Sequence, residues 1–314
     1  MANELIMSSG PHIHSGADSR RIMLDVILAL LPATVAAVLL FGWQALAIVA
    51  VCVISAVLAE LLFNVVTRRK QTIGDLSAIV TGLLLALNLS TYVELWQCAL
   101  GSIFAIVLVK CLFGGLGKNF ANPAITARVF MLLAFATVGG GAAPSPLIGA
   151  APDAVSAATP LAMIGEGNVE ALPSLADMFL GLRGGAIGET CILALVLGGV
   201  YLLLRKVIRW QVPVVFIGTV FVLSLIATGS FKLALYEILG GGLFLGAIFM
   251  ATDYSSTPLT VRAKVLFALG CGLITFAVRQ FFSYPEGVSF SILAMNILSP
   301  VLAKITRRKP LGGV

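Results

Sequence analysis

The segment Gly184-Gly185-Ala186-Ile187-Gly188-Glu189-Thr190-Cys191 sets a threonine hydroxyl behind three glycines, at the entrance to an apolar run. Two chemistries suit that spacing. A threonine at a helix start caps the helix by accepting a backbone N–H. Alternatively, the glycines keep the backbone open so that an anionic group sits at the helix N-terminus beside the hydroxyl. A second set of candidates is acidic. Asp25, Glu60, Asp75, Asp253 and Glu286 fall within or at the ends of apolar stretches, where a charge is costly enough to mark function by default. Asp25 and Glu286 stand near stretch starts, where interfacial capping explains them equally well. Asp75 and Asp253 are flanked by Ser, Thr and Gly, which suits a water-lined or cofactor-lined pocket better than lipid. As hard oxygen ligands, Asp25, Asp75 and Asp253 are candidates for a path that carries Na⁺ or H⁺ through a bilayer.

The elements that must hold these residues follow from composition. Of 314 residues, 59% are hydrophobic and 11% charged, against about 25% charged in an ordinary soluble domain. A mean hydropathy of +1.06 excludes a soluble enzyme, a disordered chain and a nucleic-acid binder, so the net charge of +6 calls for a membrane explanation. The chain reads as an all-α polytopic membrane protein. Apolar runs between breakers give ten candidate spans, at 22–43, 44–66, 73–91, 95–113, 122–139, 190–208, 212–229, 233–251, 262–281 and 286–304, with 73–91 and 122–139 the best candidates for half-helices or kinked helices. If Arg20 and Arg21 are cytoplasmic, alternation puts seventeen of the twenty basic residues on the cytoplasmic side, Lys110 and Arg128 among them; Arg183, Lys232 and Arg279 fall outside. That bias predicts cytoplasmic termini and an outward-facing Thr190.

Residues 140–189 form a connection of about 50 residues, a length that is usually functional or disordered. It divides the chain into an N-terminal half, 1–139, with five spans, the outward-facing loop 140–189, and a C-terminal half, 190–314, with five spans. An odd number of spans per half is the arithmetic of an inverted repeat. Two echoes support a five-plus-five inverted repeat. Gly117-Lys118-Asn119-Phe120-Ala121-Asn122-Pro123 at the fifth span is echoed by Met295-Asn296-Ile297-Leu298-Ser299-Pro300 in the tenth, and Gly74-Asp75-Leu76-Ser77 at the start of the third by Thr252-Asp253-Tyr254-Ser255-Ser256 at the end of the eighth. No glycine cluster is a nucleotide fingerprint; Gly114-Gly115-Leu116-Gly117-Lys118 has Asn119 where a phosphate loop needs Ser or Thr. Gly240-Gly241-Gly242 reads as close helix packing. Five scattered cysteines without a C-x-x-C pair predict apolar packers and no metal site. His12 and His14 read as part of a polar tail, which is no cleavable signal peptide.

Several long stretches together resemble one family, the membrane subunits RnfD of the Rnf complex and NqrB of the sodium-pumping NADH:quinone reductase. They are Arg21 to Pro32, Gly74 to Leu89, Gly114 to Phe130, Gly184 to Thr190, Met250 to Pro258 and Tyr284 to Pro300. Lacking the longer N-terminal region expected of NqrB, the chain is more similar to the RnfD branch. The resemblance implies that Thr190 carries FMN through a phosphodiester bond, placed there by a flavin transferase, with Gly184, Gly185, Gly188 and Glu189 forming the attachment segment. Cys191 departs from the serine expected next. A second, non-covalent flavin, riboflavin, is also implied within the helix bundle; Asn119, Asn122, Pro123 and Asp253 are the residues chosen for its pocket.

On that resemblance the chain is a flavin-carrying subunit of a redox-driven Na⁺ or H⁺ pump in the inner (cytoplasmic) membrane, passing electrons between reduced ferredoxin and NAD. Its partners would be the other subunits of the Rnf complex, including Fe–S subunits and an FMN-bearing membrane-anchored subunit; neither a cluster-binding cysteine pattern nor an NAD fingerprint occurs in this chain. The alternative is a channel or secondary transporter for a small solute on the same inverted plan, without a cofactor.

Overall fold

The computed structural model describes residues 18–135, 138, 159–282 and 287–306. The His12/His14 pair, residues 139–158 of the long connection, Glu286 and Arg307 to Lys309 lie outside the described residues. Among the described residues the architecture is helical throughout, with no β-strand.

The first helix, α1, runs over Ser19–Val66, 48 residues. Unbroken, it would be about 72 Å long, more than twice the hydrocarbon thickness of a bilayer. Gly42 divides it. Its φ of 72° and ψ of −158° are open essentially to glycine alone, and the two arms it creates match the expected spans 22–43 and 44–66. Small side chains at Ala29, Ala33, Ala37, Ala45, Cys52 and Ala56 form the buried stripe, and against it pack α2 (Ser77–Leu87), α3 (Leu95–Phe104) and, from the other half, α7 (Ile192–Leu204). After α3 the chain widens into a π-helical turn over Ala105–Cys111. Then come α4 (Pro123–Ala134), the short α5 (Pro160–Gly165) and α6 (Leu175–Leu180), α8 (Gln211–Thr228), α9 (Phe231–Leu239) and α10 (Leu243–Leu245) with a second π-helical turn over Gly246–Met250, α11 (Val261–Phe281) and α12 (Val288–Ile305).

By length and composition α1, α8, α11 and α12 can each cross a membrane, and the pair α9–α10, bent by 64°, makes a fifth. The other expected spans are shorter helices. Those of 11 to 13 residues, α2, α4 and α7, rise only about 17–20 Å, so non-helical chain must complete any crossing. Asn88 ends α2, and Asn122 starts α4. The Gly240–Gly242 cluster packs closely, as expected, since a side chain at Gly240 would strike Leu161 of α5 and one at Gly242 would strike Glu189 Oε1; it also sits at the bend between α9 and α10.

Two cations expected at the cytoplasmic surface are internal. Lys110, on the first π-helical turn, and Arg128, within α4, are each 1% exposed, Lys110 ion-paired to Glu60 and Arg128 lying 4.0 Å from Glu189. Hydropathy windows place a cation at the nearest polar edge; a buried acid on another segment overrides that placement. Arg279, expected to lie outside the cytoplasmic set, is likewise paired, 3.7 Å from Glu237 of α9.

The two halves approach closely at Gly198 of α7, where a Cβ would come within 2.1 Å of the Ala29 carbonyl oxygen; at Gly218 of α8 it would meet nothing. Gly198→Val should therefore cost about 3 kcal/mol or more from overpacking, read as a fall in the thermal midpoint of the detergent-solubilised protein, whereas Gly218→Val should leave that midpoint unchanged.

Candidate functional site

Thr190 precedes α7 by two residues. The N-cap is Cys191, which makes no side-chain cap bond, so the capping role is not what this threonine performs. Thr190 is 1% exposed, and its Oγ1 has no hydrogen-bond partner among the described residues. The segment before it is fixed from several directions. Ile187 N–H donates to Leu89 O at 2.9 Å and Gly188 N–H to Leu87 O at 2.8 Å, answering carbonyls left open at the C-terminal end of α2. Arg183 Nη2 donates to the main-chain oxygen of Glu189 at 2.9 Å. Gly188 lies directly against Leu87, and a side chain at Gly185 would press on Thr190 Cγ2. Gly184 and Gly185, with Arg183, Glu189 and Gly241, line a small, largely enclosed space.

A larger cleft lies among the N-terminal arm of α1, α2, the first π-helical turn, the start of α4 and the Thr252–Ser255 turn. Asn119, Asn122, Pro123 and Asp253, four residues drawn from sequence positions more than a hundred apart, all line it. Its walls are otherwise mostly apolar, with Val80, Leu84, Leu202 and Phe249 prominent, and an apolar lining on which a few polar groups converge is that of a small-molecule site. Asn122 caps α4 by accepting from Ala124 N–H (3.0 Å) and Ile125 N–H (3.3 Å), while its Nδ2 donates to Met250 O at 3.4 Å. Asn119 is buried and its Oδ1 has no partner among the described residues. Asp253 accepts from Ser255 Oγ at 2.8 Å and Ser256 Oγ at 3.0 Å. Burial, with the Asp253 and Asp25 carboxylates nearby, pushes the Tyr254 phenol up from its ordinary pKa, so it stays protonated and donates to Val207 O.

The remaining acids are not free. Asp25 is buried near the start of α1, accepting from Tyr201 Oη at 3.0 Å and from Arg205 Nη2 at 3.2 and 3.3 Å. It lines an open vestibule that shares Val207 and Tyr254 with the large cleft. Asp75 accepts from Ser77 N–H at 2.8 Å and from Ser77 Oγ, the same Asp-x-Ser turn that Asp253 makes with Ser255. The other echoed pair meets in space. With the Asn296 amide oriented to satisfy both neighbours, its oxygen accepts from Asn122 N–H at 3.1 Å and its nitrogen donates to Ser256 O at 3.2 Å. Sequence reasoning misses Lys110 in the cleft wall, as well as Arg128, Arg183 and Glu237. Glu60 stands out as an acid in an apolar stretch, but a partner 50 residues on is not visible in hydropathy. Among the described residues no three His, Cys, Asp or Glu side chains gather as a metal site.

Sequence comparison with known proteins covers nearly the whole chain. A model of the NQR2, RnfD, RnfE family matches residues 6–312. The D component of the Na(+)-translocating ferredoxin:NAD(+) oxidoreductase complex of Acetobacterium woodii is 43% identical over 310 residues, covering 98% of this chain and 95% of that protein. The D component of the proton-translocating ferredoxin:NAD(+) oxidoreductase complex of Clostridium ljungdahlii is 38% identical, over 99% of this chain and 97% of its own length. Its counterpart in an ion-translocating oxidoreductase complex of Escherichia coli is 32% identical, with 98% of each chain covered. Matches of this extent and identity make the chain a member of the NQR2, RnfD, RnfE family.

Proposed function

We propose that this chain is the flavin-carrying membrane subunit of an ion-translocating ferredoxin:NAD oxidoreductase complex, moving electrons while Na⁺ or H⁺ crosses the membrane. It does not complete the reaction alone. Fe–S subunits, an FMN-bearing membrane-anchored subunit and a flavin transferase for maturation would be its partners. The single observation that carries the flavin assignment is the Thr190 hydroxyl, buried without a partner among the described residues in a glycine-rich turn just before α7. An unanswered buried hydroxyl costs about 1–3 kcal/mol, and esterification to a phosphate removes the unanswered O–H donor. The α7 N-terminus beside it favours the phosphate charge, and Arg183 stands next to Gly184 and Gly185 in the adjoining space. Because Thr190 is enclosed by its own loop, the transferase must act while Gly184–Glu189 lies open, and the loop closes on the finished ester.

Riboflavin suits the large cleft. Asn119 Oδ1 would accept a ring N–H, apolar walls would hold the ring faces, and Asn122 would hold the cleft's shape from its cap. Bound there, the flavin supplies the electron chemistry; the protein orients it and excludes water. Asp25, Asp75 and Asp253 are the proposed ion path. Tyr254 and Val207 form a wall common to the Asp25 vestibule and the cleft, and Asp253 also lines the cleft. Ten spans in two inverted halves, 1–139 and 190–314, joined by the loop 140–189, fit this reading, supported by the matching Asp-x-Ser turns and by the meeting of Asn122 with Asn296. Both termini would then be on the cytoplasmic face of the cytoplasmic membrane and Thr190 on the outer face.

Matured with its transferase, the wild-type protein should give a flavin-fluorescent band after denaturing electrophoresis, and Thr190→Ala a dark one; a dark wild-type band would favour a cofactor-free transporter. Asn119→Leu should leave that band intact while lowering retention of extractable riboflavin about tenfold, the worth of one buried hydrogen bond. Asp25→Asn should slow ion uptake by inverted membrane vesicles several-fold at unchanged flavin content, measured with a Na⁺ or pH indicator dye.

A further inference from the structure

Between the large cleft and the polar edge of the molecule runs an unbroken chain of hydrogen-bonded side chains that neither flavin position uses. Lys110 lines the cleft, and its Nζ donates to both oxygens of Glu60 at 2.8 Å and to Ser77 Oγ, also in the cleft wall, at 2.6 Å. Glu60 Oε1 accepts from Thr72 Oγ1 at 2.5 Å, and Thr72 Oγ1 accepts from Asn64 Nδ2 at 3.1 Å. Lys110 and Glu60 are sealed inside the protein, whereas Thr72 is exposed. Every link except the Asn64 amide is a group that can both take and give a proton. The π-helical turn over Ala105–Cys111 turns Lys110 inward. Such turns cluster at functional sites, because they re-aim a side chain at some cost to the helix.

We propose that Thr72, Glu60 and Lys110 form a proton relay that feeds the cleft from the aqueous side. The proposal rests on the cleft holding a flavin. When the bound flavin takes electrons from the complex, an N–H bond of the Lys110 ammonium breaks and that proton goes to a ring nitrogen, leaving a neutral amine. A proton from bulk water joins Thr72 Oγ1 as the hydroxyl proton passes to Glu60; Glu60 then passes a proton to Lys110 and restores the ammonium–carboxylate pair. Net, one proton moves from water to the flavin, and all three side chains return to their starting state. The charged and titratable neighbours of the pair are Asp75, held through Ser77, and Cys111 and Arg69, whose Nη1 donates to Cys111 O at 3.0 Å. Since Lys110 fills the place a free cation would take beside Glu60, this pathway is specific to protons, whichever ion the complex moves elsewhere.

The test uses the purified whole complex and three forms of this chain: wild type, Thr72→Val and the charge-neutral pair Glu60→Gln with Lys110→Met. Extractable riboflavin is quantified first. Flavin reduction by NADH is then followed by rapid-mixing absorbance in H2O and in D2O. With riboflavin present in all forms, proton-coupled reduction should slow about tenfold or more in both variants, with a solvent isotope effect larger than that of wild type. Rates within about twofold of wild type at full riboflavin content would overturn the relay while leaving the flavin in its cleft. Slowing that leaves the solvent isotope effect at its wild-type size, or loss of riboflavin from both variants, would overturn it in favour of a purely structural network. Wild type devoid of extractable riboflavin would overturn the cleft assignment, and the relay with it.

Discussion

A helix that stops inside a membrane protein leaves its last carbonyls and first N–H groups with no water to answer them, so every interruption must be closed by protein. This molecule closes its interruptions against one another. Asn122 starts α4 with its own side chain and reaches Met250 O, where the second π-helical turn ends. Asn88, at the end of α2, bonds back to Leu84 O and touches Met250 Sδ. Asn296 in α12 joins the Asn122 main chain to Ser256. The polar residues of the two halves thus satisfy each other at one place, and the large cleft forms where they meet.

That constraint explains which features are legible in the sequence. Asn119, Asn122 and Asp253 stand out because polar residues in apolar surroundings are expensive, and the structure brings all three to one cleft. The division of α1 near residue 43 is legible from length alone, although its cause is the backbone conformation of Gly42, which composition does not reveal. Hydropathy assigns Lys110 and Arg128 to the surface because a cation's burial depends on an acid elsewhere in the chain, Glu60 or Glu189, and that is tertiary information. Thr190 looks like a cap because threonine before an apolar run commonly is one; the helix begins two residues later, at Ile192, and leaves its hydroxyl unanswered among the described residues.

Buried charge is handled consistently. Lys110 with Glu60, Arg128 with Glu189 and Arg279 with Glu237 each join different segments of the chain. Pairs of this kind are weak evidence for stability, since desolvation offsets most of their attraction, yet removing one member strands a charge at about 3–5 kcal/mol. Their value here is registration: each fixes where one interrupted helix sits along another. Two of the three lie at the proposed flavin positions, Arg128–Glu189 beside Thr190 and Lys110–Glu60 at the cleft wall, where small displacements would matter most.

One short helix relates those two positions. Nearly all of α2 is buried, and its length is divided between them. Ser77, Val80, Thr81 and Leu84 line the cleft, whereas Leu87 packs on Gly188 and the Leu87 and Leu89 carbonyls hold the loop that ends at Thr190. From Leu84 to Leu87 is less than one turn, about 5 Å along the axis. The inner end of the cleft and the attachment loop are therefore separated by a rigid spacer much shorter than the bilayer's hydrocarbon thickness of about 30 Å. A redox group in the cleft and another on Thr190 would stand in series along a single buried element. Any shift of α2 would be felt at both ends, and with it at the hydrogen bonds between Asp75 and Ser77 at its N-terminus.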